Sequence, residues 1–307
     1  MSSHASGGVG PVLVTGANGH LGRALIARAP SDDDIRALVR SERAAAQVRA
    51  VRGVEVRIVD YTSRSALTEA ARGCRAAVHF VGIIKEGGGA SYEDAHERTC
   101  EALAAAAADA GLERIVYLSI LGSHPDAKNA CLASKGRAER ILRAGSTPAC
   151  VLRVPMVLGP GDYASFSLRK QATSRLVAMP GGGRTLQQPI DAGDVVRAVV
   201  AALSRQTPIA GELDLGGPEC LPHHALVARA AALHGRRPAV VPVPLALVRA
   251  GIGALERLSA SPPMTLSMFD VLQHDDRVDV STACKLLELE LTPLDETLRR
   301  CVGPETA

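Results

Sequence analysis

Gly16, Gly19 and Gly22 recur every third residue in Thr15-Gly16-Ala17-Asn18-Gly19-His20-Leu21-Gly22, and this is where the chain is best equipped for chemistry. The stretch follows the apolar run Val12-Leu13-Val14 and opens a helix-like segment over residues 21–28. A buried strand, a glycine turn and a helix N-terminus together form an anion site. Glycines let the backbone approach phosphates closely, while free N–H groups and the helix dipole favour negative charge. The arrangement suits a dinucleotide pyrophosphate. Its spacing is G-x-x-G-x-x-G, not the commoner G-x-G-x-x-G, and an ordinary strand–helix turn is the competing reading.

Two further positions bear on which dinucleotide would bind. In doubly wound folds the second strand ends near the adenosine ribose, where an acidic residue suits the 2′-hydroxyl of NAD and arginine suits the 2′-phosphate of NADP. Here that strand reads Ile35-Arg36-Ala37-Leu38-Val39-Arg40, followed by Ser41. Arg40 therefore favours NADP over NAD, with a solvated surface charge as the alternative. Asp60 follows the third strand; it is read either as an acceptor for the adenine amino group or as a helix-start residue.

Positioning such a site requires alternating strands and helices, and the chain supplies them. Strand-like runs fall at 12–14, 35–39, 54–59, 76–81, 114–119 and 150–154, with helix-like stretches at 21–28, 42–50, 64–72, 92–110 and 134–144. Repeated strand–helix–strand units predict a Rossmann-like α/β fold, a doubly wound parallel sheet covered on both faces. Beyond about residue 156 the alternation loosens. A helix is expected over 191–203 and a strand over 212–215, then helices at 222–234, 245–258 and 281–289. This divides the chain into a nucleotide-binding domain over 1–216 and a smaller, mainly helical region over 217–307 facing substrate or partner.

Composition narrows the class of protein. Among 307 residues, 35 Lys and Arg nearly balance 32 Asp and Glu, and aromatic residues are only 2%, which argues against nucleic-acid binding. The seven cysteines are scattered without a C-x-x-C pair, as expected of reduced cytosolic thiols and not of a zinc site. Residues 1–10 lack the cationic start and apolar core of a secretory signal, and no apolar run is long enough to span a membrane. A cytoplasmic protein is expected. His223-His224 lacks a third ligand at metal spacing, and His274-Asp275-Asp276 is read as a tail element, not an acid/base pair. The apolar stretch 244–255 is read as core or partner packing, with peripheral contact at a membrane surface as the alternative.

With these residues in view, the chain resembles the short-chain dehydrogenase/reductase superfamily in its extended or atypical branch. The resemblance rests on the glycine stretch, Leu38-Val39-Arg40, Val59-Asp60, Ala77-Val78-His79-Phe80-Val81-Gly82 and Tyr117-Leu118-Ser119. It continues through Ser134-Lys135-Gly136-Arg137-Ala138-Glu139, Leu152-Arg153-Val154-Pro155, Gly159-Pro160-Gly161-Asp162 and Ile190-Asp191-Ala192-Gly193-Asp194-Val195. Within that branch it is most similar to the NADPH-binding accessory subunits of respiratory complex I and their bacterial relatives. The resemblance implies nucleotide contacts at Gly16, Asn18, Gly19, His20, Leu21, Gly22, Arg40, Asp60, Val81, Gly82, Ser119, Lys135 and Pro155.

It also raises a question about catalysis. Active members pair Tyr-x-x-x-Lys on one helix with a serine at the end of the preceding strand. The tyrosine exchanges the proton, the lysine lowers its pKa and binds ribose, and the serine polarises the substrate. Here Ser119 and Lys135 take two of these positions, but the tyrosine position is Cys131. Cys131 is read as an inert buried residue, as a thiol acid/base or redox group, or as bypassed by another donor such as Tyr163, Tyr92 or His124. Two functions follow. One is a protein that holds NADP(H) in a binding, structural or sensing role with little turnover, beside a protein partner. The other is an NADP-dependent reductase or epimerase acting on a carbonyl or nucleotide-sugar-like substrate.

Overall fold

The computed structural model describes residues 10–28, 35–49, 51, 54–259 and 261–304, so the expectation about a secretory signal concerns residues almost wholly outside them. Six strands open the chain: β1 (Val12–Thr15), β2 (Ile35–Val39), β3 (Val54–Ile58), β4 (Ala76–His79), β5 (Arg114–Ile120) and β6 (Ala149–Val154). Between them run α1 (His20–Arg28), α2 (Glu42–Ala46), α3 (Arg64–Ala71), α4 (Thr99–Ala110) and α5 (Ala130–Ala144). With the later strand Gly211–Asp214 they form one seven-stranded sheet, ordered Gly211–Asp214, β6, β5, β4, β1, β2, β3. Every neighbour is parallel. The strand order reverses between β1 and β4, and ligands of such sheets bind at that switch, outside the carboxyl ends.

The apolar runs of the central strands follow from burial on both faces. Val12 and Val14 pack with Leu25 and Ile26 of α1 and with Val195, Val196 and Val199 of the helix Ala192–Ser204. Leu13 and Ala77 face the other way, onto Leu67 of α3, Leu103 of α4 and Leu142 of α5. Alanine-rich α4 lies close against this face and stops at Gly111, whose φ of 69° supplies the left-handed cap that ends the helix. The expected helix over 92–110 opens as a wider π-type turn over Glu93–Arg98. That turn sets His96 against Ile83 and Thr99 against His79. Helix α5 starts at Ala130, not near 134, because Asn129 caps it by accepting from the Leu132 N–H at 3.1 Å. Cys131 and Lys135 thereby share one helix face.

Beyond β6 the sequence pattern was less legible. Helices Tyr163–Thr173, Leu266–Leu272 and Leu294–Cys301 lie outside the stretches where helices are expected. Strands Leu176–Pro180 and Ala239–Val243 pair in parallel there, 60 and more residues apart in the chain. The core of this second body draws Leu158, Leu168 and Met179 together with Leu226, Leu294 and Leu298. This core draws on residues from both sides of position 216. Asp191 and Asp194 fasten the two bodies together. Asp191 accepts from Gly193 N at 2.7 Å, from Thr297 Oγ1 at 3.0 Å and from Arg300, while Asp194 accepts from Thr292 N and Oγ1, each at 2.7 Å.

One buried ion pair lies inside the main sheet–helix interface. Glu139 of α5 is 2% exposed, pairs with Arg153 of β6, and accepts from Ser119 of β5. Removing one member of such a pair leaves a buried charge uncompensated. Arg153→Ala is expected to lower unfolding stability by about 3 kcal/mol in urea titration. A loss below about 1 kcal/mol would show that the Glu139 carboxylate does not depend on it.

Candidate functional site

The glycine turn sits between β1 and α1 at the switch point, and each glycine has its own steric reason. Gly16 adopts φ +70°, which disfavours any residue with a side chain. A Cβ on Gly22 would lie 2.5 Å from the Gly16 carbonyl oxygen, so α1 can pack onto the turn only without one. Gly19 is exposed at the mouth, with its N–H donating to Gly16 O at 2.9 Å. Asn18 and Leu21 are half-buried beside it. The His20 Nε2 atom is enclosed without a hydrogen-bond partner, and a Cβ on Gly159 would come within 2.4 Å of it. An unpartnered nitrogen at the head of α1, beside a cradle that excludes Cβ atoms, fits a bound phosphate group.

Tyr61, which the motifs did not single out, locks the turn in place. Its hydroxyl donates to Leu38 O at 2.6 Å and accepts from Gly16 N at 3.1 Å. Burial pushes this phenol up to about 12, so it stays a neutral bridge between β2 and the glycine turn. Arg40 is exposed just past β2, and Ser41 caps α2 by accepting from Ala44 N at 3.2 Å. Asp60 accepts from Thr62 N at 2.9 Å and Thr62 Oγ1 at 2.8 Å. These bonds, and then the Arg40 charge, hold its carboxyl below the usual range. Arg40 and Asp60 therefore flank one rim of the groove, with the Asp60 carboxylate turned onto its own loop.

The Ser119, Cys131 and Lys135 side chains each point to partners inside the protein. Lys135 is 4% exposed; its Nζ donates to Tyr117 Oη at 2.9 Å, Leu118 O at 3.2 Å and Val81 O at 3.4 Å. All three ammonium protons are thus directed into the protein, and Nζ stands 4.6 Å from the Tyr117 ring centroid. Burial lowers the Lys135 pKa and raises that of Tyr117 well above its ordinary value. Ser119 Oγ is turned to Glu139 and lies 3.3 Å from Ser123 Oγ. Gly82 passes so close that a Cβ there would stand 2.8 Å from Lys135 Nζ. Val81 and Pro155, half-buried, follow β4 and β6 at the same edge.

Cys131 is fully buried, with Sγ 3.6 Å from Ile83 O. Burial pushes its thiol up to about 11, against the lowering effect of Lys135. The Tyr92 hydroxyl is its neighbour across the gap, donating to Ile84 O at 2.8 Å and lying 3.2 Å from Ser267 Oγ. The other candidate donors are elsewhere: Tyr163 is 76% exposed on a different helix, and His124 is exposed and accepts from Asp126 N at 3.2 Å. Two neutral histidines close the floor. His79 joins Thr15 to Thr99, His96 contacts Ile83, and burial depresses each to about 3.

Comparison with known proteins agrees with this geometry. A family model described as NAD(P)H-binding matches residues 16–206, from the first glycine of the turn to past the helix Ala192–Ser204. The chain belongs to this NAD(P)H-binding family. Relatives include a ceramide reductase of Caulobacter vibrioides, 31% identical over 208 residues covering 67% of this chain and 64% of that protein. They also include subunit 9 of the NADH dehydrogenase [ubiquinone] 1 alpha subcomplex of Arabidopsis thaliana mitochondria, 26% identical over 70% of this chain and 56% of that protein. The chain thus spans less than two thirds of the length of either relative. Among solved structures, the NADPH-dependent quinone oxidoreductase QOR2 of Escherichia coli, complexed with NADPH, shares the fold. It has a TM-score of 0.72 at 20% identity, covering 94% of this chain and 98% of that one.

The family takes a nicotinamide dinucleotide. The buried thiol makes a direct test of the catalytic end. Cys131 should react with iodoacetamide far more slowly at pH 7.5 than the partly exposed Cys220. Because its thiol ionises only near about 11, its rate should rise roughly tenfold per pH unit below that value. Rapid labelling of Cys131 at pH 7.5 in the folded protein would contradict this environment.

Proposed function

We propose that this protein holds NADPH in preference to NADH as a bound structural or sensing ligand, with little or no turnover of its own. One observation carries the reading: all three catalytic positions are engaged inward. Lys135 faces Tyr117, Ser119 faces Glu139, and Cys131 is a buried, protonated thiol. When bound, the nicotinamide supplies a hydride, and a carbonyl acceptor then needs a proton from a positioned acid. Such an acid contributes typically 10²–10⁴ in rate, and the shorter side chain of Cys131 does not reach where a phenol would. Lys135, with its protons committed to Tyr117 and main-chain carbonyls, holds the 81–82 turn and the end of β5 together below the nicotinamide position.

A second reading, an NADPH-dependent reductase using another acid, is favoured by two specific contacts. The Tyr92 phenol borders Cys131 from the neighbouring helix, and the His274 ring lies on Gly122 just past β5. Asp276 stands 3.5 Å from His274 Nδ1 and raises the imidazole pKa. A ceramide reductase is among the relatives, and that likeness supports this second reading.

The NADPH preference rests on Arg40. Its guanidinium would make charge-assisted bonds to the 2′-phosphate, each of about 1.5–3 kcal/mol. Arg40→Ala should therefore weaken NADPH binding by roughly tenfold or more in calorimetric titration while leaving NADH nearly unchanged. Equal losses for both nucleotides would remove Arg40 as the selector. Turnover is tested by following NADPH oxidation at about 340 nm with a panel of ketone and aldehyde substrates. The bound-ligand reading expects rates far below the ordinary kcat range of about 1–10³ s⁻¹, raised by Cys131→Tyr. Ordinary turnover by the native chain, abolished in Tyr92→Phe or His274→Gln, would establish the second reading instead.

A further inference from the structure

We infer that the second body carries a docking surface for an anionic lipid bilayer, built from the helix Leu245–Leu258 and the strand pair Leu176–Pro180 with Ala239–Val243. This inference does not rest on the nucleotide site. It begins with a helix that the protein leaves largely uncovered: of its fourteen residues only Ile252 is buried. Leu247 is 65% exposed and Leu258 85%. These two leucines share a stripe with Gly251 and Ala254, spaced four, three and four residues apart, while Ile252 faces the protein from the opposite side. The helix is about 21 Å long, too short to span a bilayer, and no described helix is long and apolar enough to do so. Its geometry suits lying in the plane of an interface.

The strand pair extends the same surface. Leu176 registers with Ala239 and Val177 with Val240, and Gly181 N donates to Val243 O at 2.9 Å immediately before the helix begins. Leu176, Val240 and Val241 are exposed, and Leu245 packs against Gly181. Among the described residues, the only large exposed apolar side chains outside this second body are Val51, Ile58 and Ile84.

Charge decides the occupant. Segments 163–190 and 236–255 contain no aspartate or glutamate, although the whole chain is nearly balanced at +3. Lys170, Arg175, Arg184, Arg236 and Arg237 are exposed there, and Arg175 meets Ala239 where the two strands join. The one carboxylate of the helix, Glu256, lies on the side away from the leucine stripe and accepts from Leu266 N at 3.0 Å, so a second copy docking by two-fold symmetry would set this cationic surface against itself. Lipid phosphates complement it, while the leucine stripe enters the acyl boundary.

Sedimentation of the full chain with vesicles tests the inference. With phosphatidylcholine plus phosphatidylglycerol the protein should pellet, with phosphatidylcholine alone it should not, and added salt should release it. Leu247→Asp with Leu258→Asp, and separately Arg236→Glu with Arg237→Glu, should each reduce the pelleted fraction at least tenfold. Both pairs are exposed, and unchanged circular dichroism and thermal melting would show the fold intact. Equal pelleting with both vesicle types, none with either, or variants that bind like the native chain would overturn the proposal. So would a dimer in sedimentation velocity that the leucine variant dissociates while vesicles recruit nothing, since a second copy would then be the occupant.

Discussion

A buried ammonium and a buried carboxylate one helical turn apart, Lys135 and Glu139, set the terms for the catalytic half of this molecule. Neither charge can enter a sheet–helix interface unless its hydrogen bonds are met there. The sheet answers with Tyr117 and Ser119, two residues apart on β5, and with Arg153 of β6, the register partner of Ser119. This seam explains why α5 is held in a single register against the sheet. It also explains why the groups that would normally face a substrate face the interior. Ser119 has one hydroxyl proton and cannot donate it both to Glu139 and to a carbonyl.

The nucleotide half depends on a different constraint, the close approach of backbone to backbone. Gly22 allows α1 to touch the turn that Gly16 bends, and Tyr61 fastens that turn to the end of β2. The two halves meet at Gly82, where the chain leaving β4 skirts the lysine ammonium. The N–H groups of Gly16 and Gly19 are held by Tyr61 and the Gly16 carbonyl, and Lys135 and Ser119 by groups inside the protein. The segment Leu266–Gln273 reinforces this closure, since Ser267 meets both Asn129, the cap of α5, and Tyr92.

Beyond the sheet, carboxylates do the joining. Asp191 and Asp194 open the helix Ala192–Ser204 and reach across to Thr292, Thr297 and Arg300, tying the last helix to the nucleotide domain. That leaves the helix Leu245–Leu258 and its strand pair as the part least covered by the rest of the chain. Its apolar and cationic character contrasts with the balanced surface elsewhere.

The sequence alone determined the elements whose signals are local. Period and punctuation located six strands within a residue or two, the central ones as apolar runs buried on both faces and the edge strand β3 as the alternating Val54-Glu55-Val56-Arg57-Ile58. The glycine spacing located the turn between β1 and α1, because the positive φ at Gly16 and the close approach at Gly22 exclude a side chain. The cysteine at the tyrosine position was equally plain. Only the tertiary structure decided what each polar side chain meets. Tyr61, Glu139 and His274 gained their roles from partners 23, 20 and roughly 150 positions away, and nothing local records such pairings. The strands at 176–180 and 239–243 stayed hidden for a similar reason: each holds a proline, each is partly exposed, and each exists only because the other lies beside it.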